Sequence, residues 1–267
     1  MRQRRVSGIE DKLAEYAELV LQPEAGAAAV QLLQNGRPVR WYQRTSERYI
    51  LPEGFLGLYA ELGCGRGLFI NTLAEADPES LYIGVEGCKT IIHKAMARTR
   101  KDGLANVRYI DAFINDFAGA FSENSLDGLF LNFSDPWPKD RHAERRLTAP
   151  AKAKSYLCVL KPGGFVALKT DGEAFFDYSQ KSFEEAGFII ESAARDLPLA
   201  ASDKGRDKGR RYSDRDKEGG SFCLENDPHF GQSVPTEYEL RFRALGQPIY
   251  HFIAKKPERN EGSKTKA

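Results

Sequence analysis

The chain has 267 residues, of which 41% are hydrophobic and 29% charged, and its formal net charge at pH 7 is +1. This length suits one α/β domain with additions, and it allows a full hydrophobic core. The near-zero net charge argues against a protein that coats nucleic acid non-specifically, so any nucleic-acid site must be a local basic patch.

The sequence gives no indication of membrane insertion, secretion or zinc binding. Its longest apolar runs fall short of the ~18 residues that a membrane-spanning helix needs. The basic amino terminus lacks the apolar core of a signal peptide. The four cysteines are scattered, without a CxxC pair, and this pattern predicts a reducing cytoplasm as the location and no bound metal.

The order of apolar patterns divides the chain into an extension, a main domain and a tail. Residues 1–56 are predicted to form a helix, Ile9 to Gln22, followed by a basic and aromatic stretch. Residues 57–254 alternate strand and helix patterns, which predicts a doubly wound, mostly parallel sheet. Within this domain, residues 197–235 are charged and glycine-dotted and are expected to form a mobile loop. Residues 255–267 are expected to be a disordered tail.

The predicted elements of the main domain follow one another closely along the chain. The strand patterns lie at 57–62, 81–86, 106–110, 126–133, 163–170, 188–193 and 248–255. The helical patterns lie at 69–76, 88–101, 149–160, 173–187 and 236–246. This succession is typical of βαβ units, whose ligands bind at the carboxyl ends of the strands.

Three alternating glycines, Gly63, Gly65 and Gly67, join the first of these strands to a helix. Such glycines allow a tight turn and a close approach of a ligand to the backbone. The dinucleotide fingerprint GxGxxG would need glycine where this chain has Leu68. S-adenosylmethionine has no pyrophosphate, and its ammonium group could pair with Glu61, so this cofactor fits the loop better. A sharp turn without any ligand is the alternative for this stretch alone.

Acidic residues follow the second and third strands of the predicted sheet. Glu86 ends "LYIGVE", where an acid can accept both hydroxyls of a ribose. Asp111 follows "NVRYI", where an acid can accept the adenine amino group. Either acid alone is more often a solvated strand-end residue, and Glu86 fits NAD as well as S-adenosylmethionine. The glycine loop and both acids in this order favour the methyltransferase version of the fold.

The fourth strand runs into "NFSDPWPKDRHAERRLT", which begins at Asn132. Asp135 is therefore expected beside the methyl donor, and the two prolines after it restrict the backbone there. Five side chains that can carry positive charge follow: Lys139, Arg141, His142, Arg145 and Arg146. They fit phosphate contacts, although Arg145 and Arg146 could instead lie on a solvated helix start.

These motifs resemble the bacterial tRNA (guanine-N7)-methyltransferases. The stretch "NFSDPWPKDRHAERRLT" is the most specific, and "ELGCGRGLF", "YIGVEG", "LKPGGFVALKTD" and "TEYELRF" also occur in family order. The resemblance implies a seven-stranded, Rossmann-like class I methyltransferase fold with S-adenosylmethionine as cofactor and tRNA as partner. It also implies methylation of N7 of a guanine in the tRNA variable loop.

The resemblance also assigns residues to each side of the reaction. The cofactor side and the active site would comprise Glu61, Glu86, Asp111 and Asp135, together with the glycines of the loop. The catalytic residue would be Asp135. The substrate side would comprise Lys139, Asp171, Thr236, Glu237, Tyr238 and Glu239. The segment 197–235 is longer than the family pattern, and residues 1–56 match it only loosely.

The chemistry of guanine N7 constrains what the acids need to do. This nitrogen has a free lone pair and loses no proton on methylation, so a general base is not obligatory. Alignment of N7 with the methyl group and sulfur can contribute ~7–11 kcal/mol. A carboxylate favours the positive charge that develops on the purine. Asp135 or Asp171 could do this, or accept hydrogen bonds from guanine N1 and N2.

Two other classes of protein share parts of this pattern. One is a methyltransferase of the same fold that acts on a small molecule or a protein, against which the basic cluster argues. The other is a non-catalytic RNA-binding relative, against which the intact glycine loop argues. The spacing of Thr236 and Glu239 also fits a capping box, so structural capping is an alternative to substrate binding there. The sequence is compatible with a monomer or a homodimer.

Overall fold

The computed structural model describes residues 7–21, 30–34, 37–44, 49, 51–113, 120–197 and 234–258. Most of the loop predicted at 197–235 and of the tail predicted at 255–267 lies outside the described residues. Within the predicted tail, Lys256 is described, and its Nζ donates to Leu157 O and Leu160 O. In the described chain, no helix is long and apolar enough to cross a membrane. Those same residues contain no group of three or more His, Cys, Asp or Glu side chains suited to a metal ion.

The main domain is built on a seven-stranded sheet whose strand order is β5-β4-β3-β6-β7-β9-β8. Its strands are β3 (Gly57–Leu62), β4 (Ser80–Val85), β5 (Val107–Ile110), β6 (Leu126–Asn132), β7 (Leu160–Thr170), β8 (Ile189–Ala194) and β9 (Tyr250–Lys255). Strands β3 to β7 pair in parallel, whereas β9 is antiparallel to both of its neighbours. The predicted doubly wound, mostly parallel seven-stranded sheet is confirmed.

Helices cover both faces of this sheet. They are α2 (Leu68–Ala76), α3 (Lys89–Asp102), α4 (Pro150–Val159), α5 (Glu173–Ala186) and α6 (Glu237–Ala244). All six residues of β4 are buried, as expected of a parallel strand with a helical layer on each side. Its alternating side chains enter two separate cores, because Leu81 and Ile83 pack on one face while Tyr82 packs on the other.

The amino-terminal segment differs from the continuous helix predicted between Ile9 and Gln22. Helix α1 spans only Ile9–Ala14, and a 3₁₀ turn follows at Ala17–Leu19. Beyond the turn the chain is extended, and Leu21 N donates to Tyr109 O at 2.9 Å. Strand β5 is the edge of the sheet, so its unpaired backbone groups give this segment better partners than another helical turn would.

A further pair of strands was not predicted from the sequence. Strands β1 (Val30–Gln34) and β2 (Arg37–Arg44) form an antiparallel two-stranded sheet, of which β2 lies within the basic and aromatic stretch.

The parallel strands place the predicted site residues at one edge of the sheet. Strands β3, β4, β5, β6 and β7 all end there, and each is followed within three residues by one of the acids or glycines singled out in the sequence. Strand β3 lies between β4 and β6, so the strand order reverses beside it. A crevice at such a reversal is where open α/β sheets bind ligands.

Candidate active site

The glycine loop after β3 adopts backbone conformations that favour glycine at all three positions. The φ angles of Gly63, Gly65 and Gly67 are +75°, +59° and +76°. A Cβ atom at Gly67 would lie 3.0 Å from the Cβ of Ala95, whereas one at Gly63 would meet no atom within 4 Å. The loop is therefore packed against the protein at its end and open at its beginning, where a ligand can approach the backbone.

Glu61 lies beside this loop as a buried carboxyl group with an incomplete set of partners. Its side chain is 3% exposed, and Oε1 accepts a hydrogen bond from Asn132 Nδ2 at 2.9 Å. Its Oε2 is buried and has no hydrogen-bond partner in the described part of the chain. Burial raises the pKa of Glu61 to about 8, although the bond from Asn132 and the charge of Lys169 act in the opposite direction. A ligand ammonium group would complete this site, so the residues present fit the amino-acid end of S-adenosylmethionine.

This pKa predicts that cofactor affinity increases with pH. Below about pH 8 the Glu61 carboxyl is mostly protonated in the free protein, and pairing with an ammonium group would require it to lose that proton. Between about pH 5.5 and pH 7, where the cofactor's own α-amino group stays charged, affinity should increase by up to about tenfold per pH unit. Isothermal calorimetry in buffers of different ionisation enthalpy should detect up to one released proton. Glu61→Gln should bind more weakly with a flat profile; a flat profile in the parent protein would contradict the assignment.

Glu86 follows β4 and is linked to the glycine loop. Its Oε1 accepts a hydrogen bond from Cys88 N at 2.8 Å. Burial raises its pKa, while backbone N–H groups of Cys88, Gly65 and Gly87 lower it by bonding to the charged form. Glu86 therefore lies between the tip of β4 and the glycine loop. An adenosine cofactor that binds across these two segments would lie beside its carboxyl group.

Replacing Glu86 by alanine is expected to weaken S-adenosylmethionine binding by about 1.5–3 kcal/mol, because a charged acceptor is lost from a partly buried site. The affinity for tRNA should stay near that of the parent protein, since Glu86 is assigned to the cofactor alone. Calorimetric titrations with the cofactor, and filter binding with tRNA, separate the two effects. Unchanged cofactor affinity would show that Glu86 only shapes the loop.

Asp111 follows β5 and has a cationic neighbour. Its side chain is 20% exposed, and its Oδ2 lies 3.9 Å from the Nζ of Lys89, which pairs with Glu10 at 2.7 Å. Burial raises the pKa of Asp111, an effect that Lys89 opposes and Glu10 reinforces. Phe113, which was not singled out in the sequence, is 51% exposed and packs on Gly87, where a Cβ would lie 2.4 Å from its ring. An apolar ring thus accompanies the acids on this side of the site.

Asp135 lies in a strained turn after β6. The Asp135 loop, residues 133–138, has positive φ at Phe133 (+49°) and Trp137 (+41°). Asp135 itself is exposed, and the first end of the loop is held because Phe133 N donates to Lys169 O at 2.8 Å. Positive φ is uncommon outside glycine, and strained residues of this kind cluster at functional sites.

The basic residues after Asp135 differ in exposure, and His142 is half-buried. Lys139, Arg141 and Arg145 are exposed, and the guanidinium of Arg145 lies 5.1 Å from the ring centre of Trp137. Arg146 is only 8% exposed, which contradicts the alternative of a solvated helix start for this residue and disfavours its predicted phosphate contact. Its guanidinium bonds to backbone carbonyls of the Asp135 loop instead.

The segment Thr236–Glu239 opens helix α6, and most of its side chains have partners within the protein. Thr236 Oγ1 accepts a hydrogen bond from Glu239 N at 2.9 Å, so it caps the helix. Glu237 pairs with Arg98 at 3.0 Å. Tyr238 is 55% exposed and stacks on Phe133 at 6.1 Å, which places it beside the Asp135 loop.

Glu239 is the centre of a buried charge network that the sequence did not predict. Its side chain accepts bonds from Lys169 Nζ at 3.0 Å and from Arg243 Nε at 2.9 Å. Lys169 also donates to Val234 O and Arg243 to Leu197 O, at 2.8 and 2.7 Å. A lysine within the apolar pattern of β7 was the one signal in the sequence that could have indicated it. Asp171, one residue beyond β7, is exposed.

The strand order, the glycine loop and the acids at the strand ends define a class I methyltransferase. The 16S rRNA methyltransferase KamB has the same fold, with a TM-score of 0.50 and 14% identity, covering 76% of this chain and 89% of that one. Residues 57–200 match a family model described as "Putative methyltransferase".

Curated relatives define the family more closely. A tRNA (guanine-N(7)-)-methyltransferase of Bacillus velezensis is 34% identical over 193 residues, which cover 72% of this chain and 76% of the relative. One of Streptococcus thermophilus is 30% identical over 256 residues, covering 95% of this chain and 98% of the relative. The chain belongs to the tRNA (guanine-N(7)-)-methyltransferase family, and the resemblance found in the sequence is confirmed.

Proposed function

We propose that the protein transfers the methyl group of S-adenosylmethionine to N7 of a guanine in the variable loop of tRNA. The family relationship supports the reaction and its substrate class, and the observation that carries the proposed arrangement of the site is the hydrogen bond of 2.9 Å between Glu61 and Asn132. It joins the carboxyl group beside the glycine loop to the last residue of β6, three positions before Asp135. A cofactor bound at Glu61 would therefore lie next to the loop that bears the catalytic candidate.

In this proposal the cofactor side is formed by three acids at the ends of neighbouring strands. Glu61 would hold the ammonium group of the cofactor, Glu86 the ribose hydroxyls and Asp111 the adenine. The bound cofactor supplies an electrophilic methyl group on a positively charged sulfur. The open approach to Gly63 and Gly65 leaves room for the chain of the cofactor beside the backbone.

The substrate side would be formed by the Asp135 loop, Asp171 and helix α6. Asp135 and Asp171 are both exposed at the carboxyl edge of the sheet, where either can accept hydrogen bonds from guanine or stabilise its developing positive charge. Lys139 and Arg145, also exposed, would contact tRNA phosphates. Within Thr236–Glu239, Tyr238 offers the exposed ring for contact with the substrate, while Thr236 and Glu239 support the helix.

We also propose a domain organisation and a cellular location for the protein. Residues 57–254 would form the methyltransferase domain, with residues 1–56 as an extension. A reducing cytoplasm, where tRNA is modified, suits the free thiols of Cys64, Cys88 and Cys158.

Incubation of bulk tRNA with methyl-labelled S-adenosylmethionine, followed by nucleoside analysis, tests the function. The label should appear in 7-methylguanosine. Transcripts that carry adenine in place of the variable-loop guanine should take up none, and they serve as the matched control. Label in another nucleoside would refute N7 specificity. Label that appears only in protein or small molecules would indicate a different substrate class.

A further inference from the structure

Arg146 differs from the other cations of its cluster because it is buried and its guanidinium group bonds to the Asp135 loop. Its Nε donates to Pro136 O at 2.9 Å, and its Nη2 donates to Trp137 O at 3.0 Å. The guanidinium carbon also lies 4.1 Å from the ring centre of Tyr178. A planar fork that bonds two successive carbonyls fixes the orientation of both peptide groups, which a lysine ammonium group cannot do in the same way.

The second of the two carbonyls belongs to a residue with a strained backbone conformation. Trp137 has a φ of +41°, and a non-glycine residue stays in such a conformation only when its surroundings enforce it. The other end is fixed by the bond from Phe133 to β7 and by the stacking of Phe133 on Tyr238. Asp135 therefore lies between the two fixed ends of the loop. The contacts of Phe133 hold the first end, and Arg146 holds the second.

The segment that bears Arg146 is itself rigidly packed. Thr148, which is fully buried, accepts hydrogen bonds from Ser179 Oγ at 2.9 Å and, through its carbonyl, from Ser182 Oγ at 2.5 Å. Tyr156 Oη donates to Leu147 O at 2.7 Å. Helices α4 and α5 thus fix the backbone immediately after Arg146. The position of the guanidinium group relative to the loop is therefore fixed as well.

We propose that Arg146 is a positioning residue for methyl transfer, which holds the Asp135 carboxylate in place through the carbonyls of Pro136 and Trp137. This inference rests on the proposed function, because it concerns the placement of Asp135 toward the guanine. It separates two adjacent arginines into different roles. Arg145 faces solvent and suits a tRNA phosphate, whereas Arg146 acts within the protein.

Two variants of Arg146 and a matched control test the proposal. Arg146→Met removes the charge and the fork, and Arg146→Lys keeps the charge but loses the fork. Arg108→Met is the control, because Arg108 Nη1 also donates to two backbone carbonyls, of Ala105 at 2.9 Å and Val107 at 2.8 Å, but does so at the opposite end of the parallel strands. Hydrogen exchange of residues 133–138, single-turnover rates at saturating tRNA and the salt dependence of tRNA affinity are measured for each.

Both Arg146 variants should accelerate hydrogen exchange in the Asp135 loop and lower the single-turnover rate by roughly 10²-fold, since small misplacements of a reacting group have effects of this size. The tRNA affinity and its salt slope should stay at parent values, and Arg108→Met should change none of these quantities. A shallower salt slope with a recovered rate at saturating tRNA would instead make Arg146 a phosphate ligand and overturn the proposal. Unchanged loop exchange in Arg146→Lys would also overturn it.

The exchange measurement separates failure of this inference from failure of the proposed function. If the parent protein forms no 7-methylguanosine, the function is refuted, yet faster exchange in the variants would still show that Arg146 holds the loop. If the parent protein is active and both variants retain its rate, the positioning role alone is refuted. Should Arg146→Met fail to fold, Arg146→Lys, which retains the cation beside Tyr178, decides both points.

Discussion

Replacing Asp135 by asparagine is expected to lower the single-turnover rate by about 10²–10³-fold, or about 2.7–4 kcal/mol, the effect of removing a preorganised electrostatic group. Asparagine keeps the size of the side chain but not the charge that favours a cationic purine. The loop around it is fixed by Phe133 at one end and Arg146 at the other, so the substitution should leave the backbone in place. The affinity for tRNA should change little, because Asp135 offers no positive charge to a phosphate.

Rapid-quench measurements at saturating tRNA and cofactor report this rate directly. Asp171→Asn is the matched control, since Asp171 is also an exposed acid at the carboxyl edge of the sheet. A much smaller loss in Asp171→Asn would assign the electrostatic role to Asp135. If Asp135→Asn retains a near-parent rate while Asp171→Asn loses it, the roles are reversed. Parent rates in both variants would leave alignment of the substrate as the main source of catalysis.

The fold and the position of the acids at one edge of the sheet were predictable because they depend on local patterns. Continuous apolar runs predicted the buried parallel strands, and the carboxyl ends of such strands meet at one edge. That rule alone predicts that Glu61, Glu86 and Asp135 lie at the same edge of the sheet. Positive φ angles at all three glycines of the loop also follow from residue type, since glycine adopts them without strain.

Other features depend on partners that are distant in sequence. Arg146 carries the same charge as Arg145, and only the folded chain shows that it meets the carbonyls of Pro136 and Trp137. The amino-terminal segment has a helical pattern, but after the first turns the chain pairs with the edge strand β5 instead of continuing as a helix. Lys169 and Glu239 are 70 positions apart, so neither the pairing nor its burial could be inferred from local pattern.

Replacing Glu239 by glutamine is expected to destabilise the fold by about 3–5 kcal/mol, the typical cost of removing one partner from a buried ion pair. The Glu239 and Lys169 side chains are 4% and 3% exposed, and their N–O distance is 3.0 Å. Glutamine has nearly the same shape, but it leaves Lys169 and Arg243 without the carboxylate between them.

Glu237→Gln is the matched control for this prediction, as it makes the same substitution on the same helix. Glu237 pairs with Arg98 at 3.0 Å, but its side chain is 35% exposed, so the loss should stay below about 1 kcal/mol. Chemical denaturation, with unchanged m-values as the check on two-state behaviour, measures both losses. The triple variant Lys169→Met/Glu239→Leu/Arg243→Met, which removes the whole charged group, should recover much of the stability lost in Glu239→Gln, because apolar residues of similar volume often replace a buried ionic group at little cost. If Glu239→Gln costs no more than Glu237→Gln while tRNA binding weakens, the Glu239 carboxylate serves the substrate. A large loss of stability would instead show that it joins helix α6 to strand β7 and fixes Leu197 and Val234, at the two ends of the charged segment.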